Sequence, residues 1–268
     1  MKDKTKKRKK SLGFALGAGG SRGVAHIGFL QAMDEAGIVP DYIVGCSMGS
    51  VVGAAYACGL SPAYAYDAVK QLRLWSLLAA SGKKGGLFDT RKMKKVLYKH
   101  LGDTEFGQTK IPFKCVAVDL NSQKLIEFDN GPLVDGVTAS SCIPGIFIPL
   151  HLNGMRLVDG CVLERVPAKQ VKDMGADVVV CVDVLGQLST KEECGSTIAV
   201  LLEMFDLVDN ARTAWRKKEN ESLIDFWLEP DLGNMSQYSL KQIEMAYQKG
   251  YEIGKEYAPK IKAALEEN

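Results

Sequence analysis

The stretch DYIVGCSMGSVVGAAYACG, residues 41–59, decides how the chain is read. Its first five residues, DYIVG, predict a short buried strand. Residues 48–59 are small and apolar and close on Gly59, which predicts a helix. Between them, Ser47 sits in a Gly45-Cys46-Ser47-Met48-Gly49 frame. Strand, Gly-x-Ser-x-Gly turn and helix form the pattern that holds a serine hydroxyl at a sharp backbone bend. A serine at a helix N-terminus is well placed for chemistry, because the helix dipole favours an alkoxide and a negative tetrahedral intermediate. The same pentapeptide also serves as a plain tight turn, with Ser47 present only because it is small. If Ser47 is a nucleophile, some group must take its proton.

The usual hydrolase order is Ser, then Asp or Glu, then a late His. This chain has three histidines, His26, His100 and His151, and none in its last 117 residues. His26 nearly joins the apolar face of a helix, and His100 ends a basic helix, where an imidazolium suits the dipole. His151 lies in the loop-like PLHLNG. All three read more simply as structural than as catalytic, which disfavours a His-containing triad.

The rest of the chain alternates in the same way. LGFALG, residues 12–17, reads as a buried strand, and residues 23–37 as a helix with Val24, Ile27, Leu30 and Met33 every third residue and Gly37 closing it. Ser61 and Pro62 open a helix over 61–72 as N-cap and first helical residue. Residues 81–89 read as a glycine-rich loop and 90–102 as a basic amphipathic helix. Strands follow at 112–120 and 124–128, then at 156–160 and 177–184, the last two flanking a helix over 167–176. A long helix over 197–221, a strand within 223–230 and a closing helix from 239 complete the chain. Strands alternating with helices predict an α/β layered sheet with helices on both faces, with function gathered where strands end and helices begin.

Two further stretches sit at such points. GAGGSRG, residues 17–23, joins a strand to a helix, so its amides can converge on an anion. It is not a dinucleotide fingerprint, because Arg22 stands where the third glycine belongs, and it lacks the Gly-Lys-Ser/Thr of a P-loop. RLVDGCVLERVP, residues 156–167, puts Asp159 at a strand end before Gly160. On this evidence Asp159 is as well explained by a turn as by a catalytic role.

Composition narrows the classes. The chain has 268 residues, 46% of them apolar and 25% charged, which suits a globular protein with a sizeable core. Residues 1–10 carry seven basic side chains and one acidic, leaving 27 basic and 31 acidic residues in the remainder. The tail through residue 11 is therefore expected to be disordered. It is either a solubilising extension or a contact for an anionic surface, lipid head groups or nucleic acid. Seven scattered cysteines without metal spacing read as small reduced core residues and point to a cytoplasmic address. No apolar run is long enough for a membrane span, and the broken LGFALGAGG does not make a signal peptide. Trp75, Leu77 and Leu78 beside Arg73, Lys83 and Lys84 allow residues 72–86 to be a lid or interfacial contact as well as core packing.

Together, GAGGSRG, GCSMG and DGC resemble, in that order, the signature of the patatin-like phospholipases, the small bacterial members in particular. ASSCIPGIF, residues 139–147, is similar to the family's Ala-Ser-x-x-x-Pro segment. The resemblance runs from about residue 12 to 185 and continues faintly through QKGYEIG near residue 250. It implies a single domain over 12–268 with a three-layer sheet, and Ser47 on a nucleophile elbow. It further implies a Ser47–Asp159 dyad without histidine, with Gly19, Gly20 and Arg22 at the oxyanion. Gly17, Gly23, Gly45, Gly49 and Gly160 would support the motifs. No metal or cofactor is needed for such chemistry, and a lipid or acyl ester, not nucleic acid, is the implied partner. The implied activity is hydrolysis of fatty-acyl esters of lipids; the cysteines and the basic tail separately suggest a cytoplasmic protein with peripheral contact at the inner membrane surface. An acyltransferase, a thioesterase or a non-catalytic adaptor on the same scaffold are the alternatives. Two positions depart from the family pattern, Ala18 in the first loop and Cys161 after Asp-Gly, and both replacements are small.

Overall fold

The computed structural model describes residues 10–71, 79–80, 86–186 and 197–266. The basic tail apart from Lys10, and most of the 72–86 stretch, lie outside these residues. The strands are β1 (Leu12–Leu16), β2 (Tyr42–Cys46), β3 (Ala79–Ala80), β4 (Gly86–Asp89), β5 (Phe113–Asp119) and β6 (Lys124–Phe128). They continue with β7 (Gly145–Phe147), β8 (Leu150–Leu152), β9 (Met155–Asp159), β10 (Val178–Val182) and β11 (Phe226–Leu228). The helices are α1 (Val24–Glu35), α2 (Met48–Ala57), α3 (Pro62–Gln71) and α4 (Arg91–Leu101). After them come α5 (Leu133–Ser140), α6 (Ala168–Asp173), α7 (Thr197–Glu219) and α8 (Ile243–Glu266).

Five strands pair in parallel in the order β11-β10-β1-β2-β5. Alternate side chains of the central strands enter different layers. Leu12, Phe14 and Leu16 of β1, with Val178, Val180 and Val182 of β10, pack with α1 and α8. Ala15, Val179 and Cys181 pack with α6 on the other face. Both faces are covered, which is why these strands read as unbroken apolar runs instead of alternating ones.

Beyond β5 the sheet becomes mixed. One edge of β5 carries β6, antiparallel. The other edge is divided: β2 pairs with Phe113–Val116, and β9 runs antiparallel against Ala117–Asp119. β8 extends this arm by pairing with β9. A small second sheet, β3-β4-β7, lies apart from the main one.

Helices α1 and α8 cross at very close range. A β-carbon on Gly250 would come within 1.9 Å of the Ala25 carbonyl oxygen, and one on Gly28 within 2.0 Å of that of Tyr247. Glycine at both positions lets the two backbones touch. This explains the QKGYEIG stretch, whose second glycine, Gly254, also faces α1.

Several expectations are corrected. The glycine-rich stretch ends in strand β4, paired with β7, so residues 86–89 are not loop. His151 lies on β8, exposed, in a hairpin whose turn is Asn153–Gly154. Helix α5 is unannounced in the sequence. Its LVDGVTAS carries β-branched residues and a glycine, and seven of its eight residues are buried, so no polar face marks it. The closing helix continues through Pro259 to Glu266.

The α1–α8 contact predicts that Gly250→Val costs at least about 2–4 kcal/mol in urea unfolding, through overpacking against backbone. Gly107→Ala, where a β-carbon meets nothing within 4 Å, is expected to stay within about 0.5 kcal/mol of the parent.

Candidate active site

Ser47 joins the end of β2 to the start of α2 with φ 51° and ψ −122°, a conformation few non-glycine residues adopt. The bend is forced by crowding. A β-carbon on Gly49 would lie 2.1 Å from the Leu16 carbonyl oxygen, and one on Gly45 would lie 2.5 Å from that of Gly49. The glycines of GCSMG are thus required by close backbone approach on both sides of the serine. The bent peptide is held by side chains: the Ser47 N–H donates to Ser140 Oγ at 2.9 Å, and Ser50 Oγ donates to the Ser47 carbonyl at 2.6 Å. Ser141 Oγ makes a longer bond to the same carbonyl, 3.5 Å. Ser140 and Ser141 are supporting residues that motif reading left without a role. The only sequence signal for them is the ASSCIPGIF segment that contains both.

The register of β5 delivers Asp159. Cys46, the residue before Ser47, pairs with Val116, and Asp159 pairs with the next residue, Ala117. The end of β2 and the end of β9 therefore meet on one edge of β5. The Asp159 N–H donates to the Cys142 carbonyl at 2.9 Å. Its carboxylate is completely buried. Oδ1 accepts from the Cys161 N–H at 3.0 Å and from Cys46 Sγ at 3.7 Å. Oδ2 is sealed from water without a conventional hydrogen bond. Burial raises the Asp159 pKa from 3.8 to about 6, opposed by the neighbouring Ser47 hydroxyl first and by Cys161 and Cys46 after it. Such a carboxylate is a much better base than one in water, and near neutral pH it is still mostly ionised.

The Gly17–Gly23 loop wraps the end of β1. Its Gly17 and Ala18 amides donate to the Val182 and Arg165 carbonyls, each at 3.0 Å, and Ser21 N–H donates to Gln237 at 2.9 Å. The Gly19 and Gly20 amides have no acceptor among the described residues, and neither does that of Met48, directly after the serine. Gly20 and Met48 border the same cavity as Ser47. The Met48 amide is a further candidate oxyanion donor that the sequence motifs did not single out, although the residue after an elbow serine is a recurrent one. Ala18 avoids the positive φ of glycine and is tolerated. Arg22 departs from expectation. Its guanidinium is directed at the Met235 carbonyl, 3.5 Å away, amid the charges of Asp183 and Arg165, and it does not line the cavity.

None of the three histidines hydrogen-bonds Ser47 or Asp159. His26 is fully buried, and its Nε2 lies 2.8 Å from the Gly17 carbonyl, which it meets as an N–H donor. Burial lowers its pKa from 6.5 to about 4, so it clamps the loop as a neutral ring. His100 Nδ1 pairs with the Tyr64 hydroxyl at 2.9 Å.

Beside Ser47 lies a cavity of about 460 Å³. Val51, Val52 and Ala55 of α2 form one wall, and Val69, Met93 and Leu97 of α3 and α4 form others. The lining is almost wholly apolar, the environment an acyl chain needs. Behind the site, Arg165 bridges Asp183 at 2.6 Å and Asp209 of α7 at 2.9 Å, all three buried. Arg212 of α7 adds a bond to Asp209 at 2.6 Å and reaches the carbonyls of Cys161 and Val162.

A family model described as patatin-like phospholipase matches residues 14–172, and the chain belongs to that family. It is 36% identical over 174 residues to an uncharacterised NTE family protein of Mycobacterium tuberculosis, covering 64% of this chain and 48% of the relative. Lysophospholipase NTE1 of Coccidioides immitis is 27% identical over 283 residues, 94% of this chain but 18% of its own. The chain thus spans half or less of the curated relatives it matches. Among solved structures, VipD of Legionella pneumophila superposes with a TM-score of 0.62 at 14% identity, over 95% of this chain and 67% of its own. ExoU of the Pseudomonas aeruginosa type III secretion system gives 0.51 at 13% identity, over 97% and 53%. These likenesses establish a shared three-layer fold.

The buried carboxylate leaves a signature in stability. Because the folded protein holds the Asp159 proton more tightly than the unfolded chain, stability falls as pH climbs from 3.8 through about 6. The loss is on the order of 3 kcal/mol. Asp159→Asn is therefore expected to raise stability at pH 8, by up to that amount, and to lose its advantage below about pH 4, measured by urea unfolding across pH. His26 has the opposite sign: its neutral folded form costs stability as pH falls from 6.5 toward 4. His26→Gln should accordingly flatten the acid limb of the same curve.

Proposed function

We propose that the protein is a serine acyl hydrolase that cleaves fatty-acyl esters of lipids. The observation that carries this reading is the meeting of three things: a strained serine at a helix N-terminus, a fully buried carboxylate beside it, and an apolar cavity that opens at the serine. Family membership supports the lipid-hydrolase class. In this reading Ser47 Oγ attacks the ester carbonyl as its proton passes to Asp159. The amides of Gly19, Gly20 and Met48 receive the oxyanion, assisted by the dipole of α2. Collapse breaks the carbon–oxygen bond of the ester, and the Asp159 proton leaves with the alcohol. Water, deprotonated by the same carboxylate, then hydrolyses the acyl-serine and restores both groups. Arg22 acts at a distance, by positioning the loop rather than touching the oxyanion. The six described cysteines are free thiols, which favours a cytoplasmic place of action. No helix among the described residues is long and apolar enough to cross a membrane.

A fluorophosphonate probe is expected to label the protein, and Ser47→Ala to abolish both labelling and turnover across nitrophenyl esters and phospholipids. Labelling that survives in the alanine variant defeats the assignment. An unlabelled, inactive but folded parent favours the adaptor reading, and transfer to an added alcohol in preference to water favours an acyltransferase.

The base makes a second prediction. kcat/KM for a soluble ester should rise with pH to a plateau, with its midpoint near the Asp159 pKa of about 6, because only the carboxylate accepts the proton. Asp159→Asn should lower the plateau by about 10²–10⁴-fold. A pH profile flat from 4 to 8 contradicts the role of Asp159 as base.

A further inference from the structure

Helix α7 is built inside out. Its inner side carries Asp206, Asp209 and Thr213, all buried. Asp209 takes the Arg165 and Arg212 guanidinium groups, Asp206 accepts from Gln237 at 2.9 Å, and Arg216 approaches Glu164 at 3.6 Å. Its outer side carries Val200, Leu201, Met204, Leu207, Val208 and Trp215, each between 44% and 62% exposed. At 100° per residue these six fall within an arc of about 120°, and the exposed Ala211 lies inside it. From Val200 to Trp215 the stripe runs about 24 Å at 1.5 Å per residue. A surface helix of a globular protein shows the reverse arrangement, and a contiguous exposed apolar patch of this kind marks an interaction site. The helix cannot relieve the exposure by rotating, because that would break the buried Arg165–Asp209–Arg212 network and leave its charges unpaired.

We propose that this outer face of α7 is a lipid-docking surface that holds the cavity it borders close to a membrane. The identity of the partner rests on the lipid acyl hydrolase reading above. The same helix borders the cavity: Leu202, on its inner side with Asp206 and Asp209, lines it, and so does Leu87 of β4, itself 48% exposed. One end of the stripe carries an interfacial tryptophan beside a cation: Trp215 lies under the Arg216 guanidinium at 5.3 Å, and exposed Lys218 falls on the same arc, while Arg216 and Lys217 pair with Glu219 at 2.9 Å and Glu229 at 3.0 Å. The inward charges of α7 rule out a spanning helix, so it lies in the plane of the interface with its apolar face down.

The test uses the full chain carrying Ser47→Ala, so that vesicles stay intact. It is sedimented with vesicles of phosphatidylcholine alone and of phosphatidylcholine with phosphatidylglycerol, at low and high salt. The triple variant Leu201→Ser, Leu207→Ser, Val208→Ser touches neither the cavity lining nor the ion network. It should lower binding at least about tenfold on both vesicle types and in high salt, since the lost contact is apolar. Removal of residues 1–10 should lower only the salt-sensitive part on anionic vesicles. Unchanged vesicle binding by the triple variant overturns the proposal. So does a parent dimer that the variant splits, by light scattering, while vesicle binding persists; the stripe then belongs to a second copy of the chain. In proteins that keep Ser47, the triple variant should turn over a soluble short-chain ester at the parent rate while losing about tenfold on vesicles. A parent without soluble-ester turnover would defeat the hydrolase reading, and the sedimentation result would still decide the docking surface.

Discussion

The site depends on one edge of one strand. β5 is shared: β2 uses its first half and β9 its second, and the two partners meet at consecutive residues, Val116 and Ala117. β2 arrives parallel and β9 antiparallel, so the carboxyl ends of both point at the same junction. Ser47 and Asp159, 112 residues apart, become neighbours through backbone hydrogen bonding, without a long side chain reaching across a gap. A one-residue slip of β9 would turn the Asp159 side chain to the other face of the sheet. Buried Leu157 and Val158, and the bond from Asp159 N–H to Cys142, hold the register against that slip.

The arrangement is costly, and the cost is what makes it chemically useful. Ser47 holds a backbone conformation that most residues avoid, and Asp159 is charged where water does not reach. The surroundings over-determine both. Ser140 and Ser50 tie down the two polar groups of the Ser47 peptide, and the Cys161 amide and Cys46 thiol face the carboxylate. Arg165 contributes twice, its carbonyl holding the Ala18 amide and its guanidinium joining β10's exit to α7. Glu164 is pushed up to about 7 by burial, opposed by Arg216 and Arg212, so the acidic character of this region is moderated by the same arginines that fasten α7.

Much of the parallel core was legible because its signals are local. β1, β2, β10 and the helices after them carry unbroken apolar runs, glycine stops and, at Ser61–Pro62, a cap whose Ser61 Oγ does accept from Tyr64 N–H. Elements whose reasons lie elsewhere in the chain were missed. α5 is buried almost all round and has no polar face to mark it. β4, the middle of the small sheet, and β8, at the edge of the main one, are short strands defined by their partners rather than their composition. His26 shows the same limit at a single residue: its near-apolar setting was readable, but its service to Gly17 was not.

By itself, the sequence determined which residues could do chemistry. A serine between two glycines at a strand–helix junction, a glycine loop after the first strand and an aspartate at a later strand end are local patterns with local physical causes. The missing late histidine narrowed the choice further. Only the tertiary structure decided which of these groups meet, and how each is tuned. Strand pairing on β5 is a long-range property that no window of sequence contains. Burial, which sets the basicity of Asp159, follows from the layers that close over it. The same holds for Arg22, which the family resemblance put at the oxyanion and packing turned toward Met235, and for α7, whose apolar side faces outward because its charges are held within.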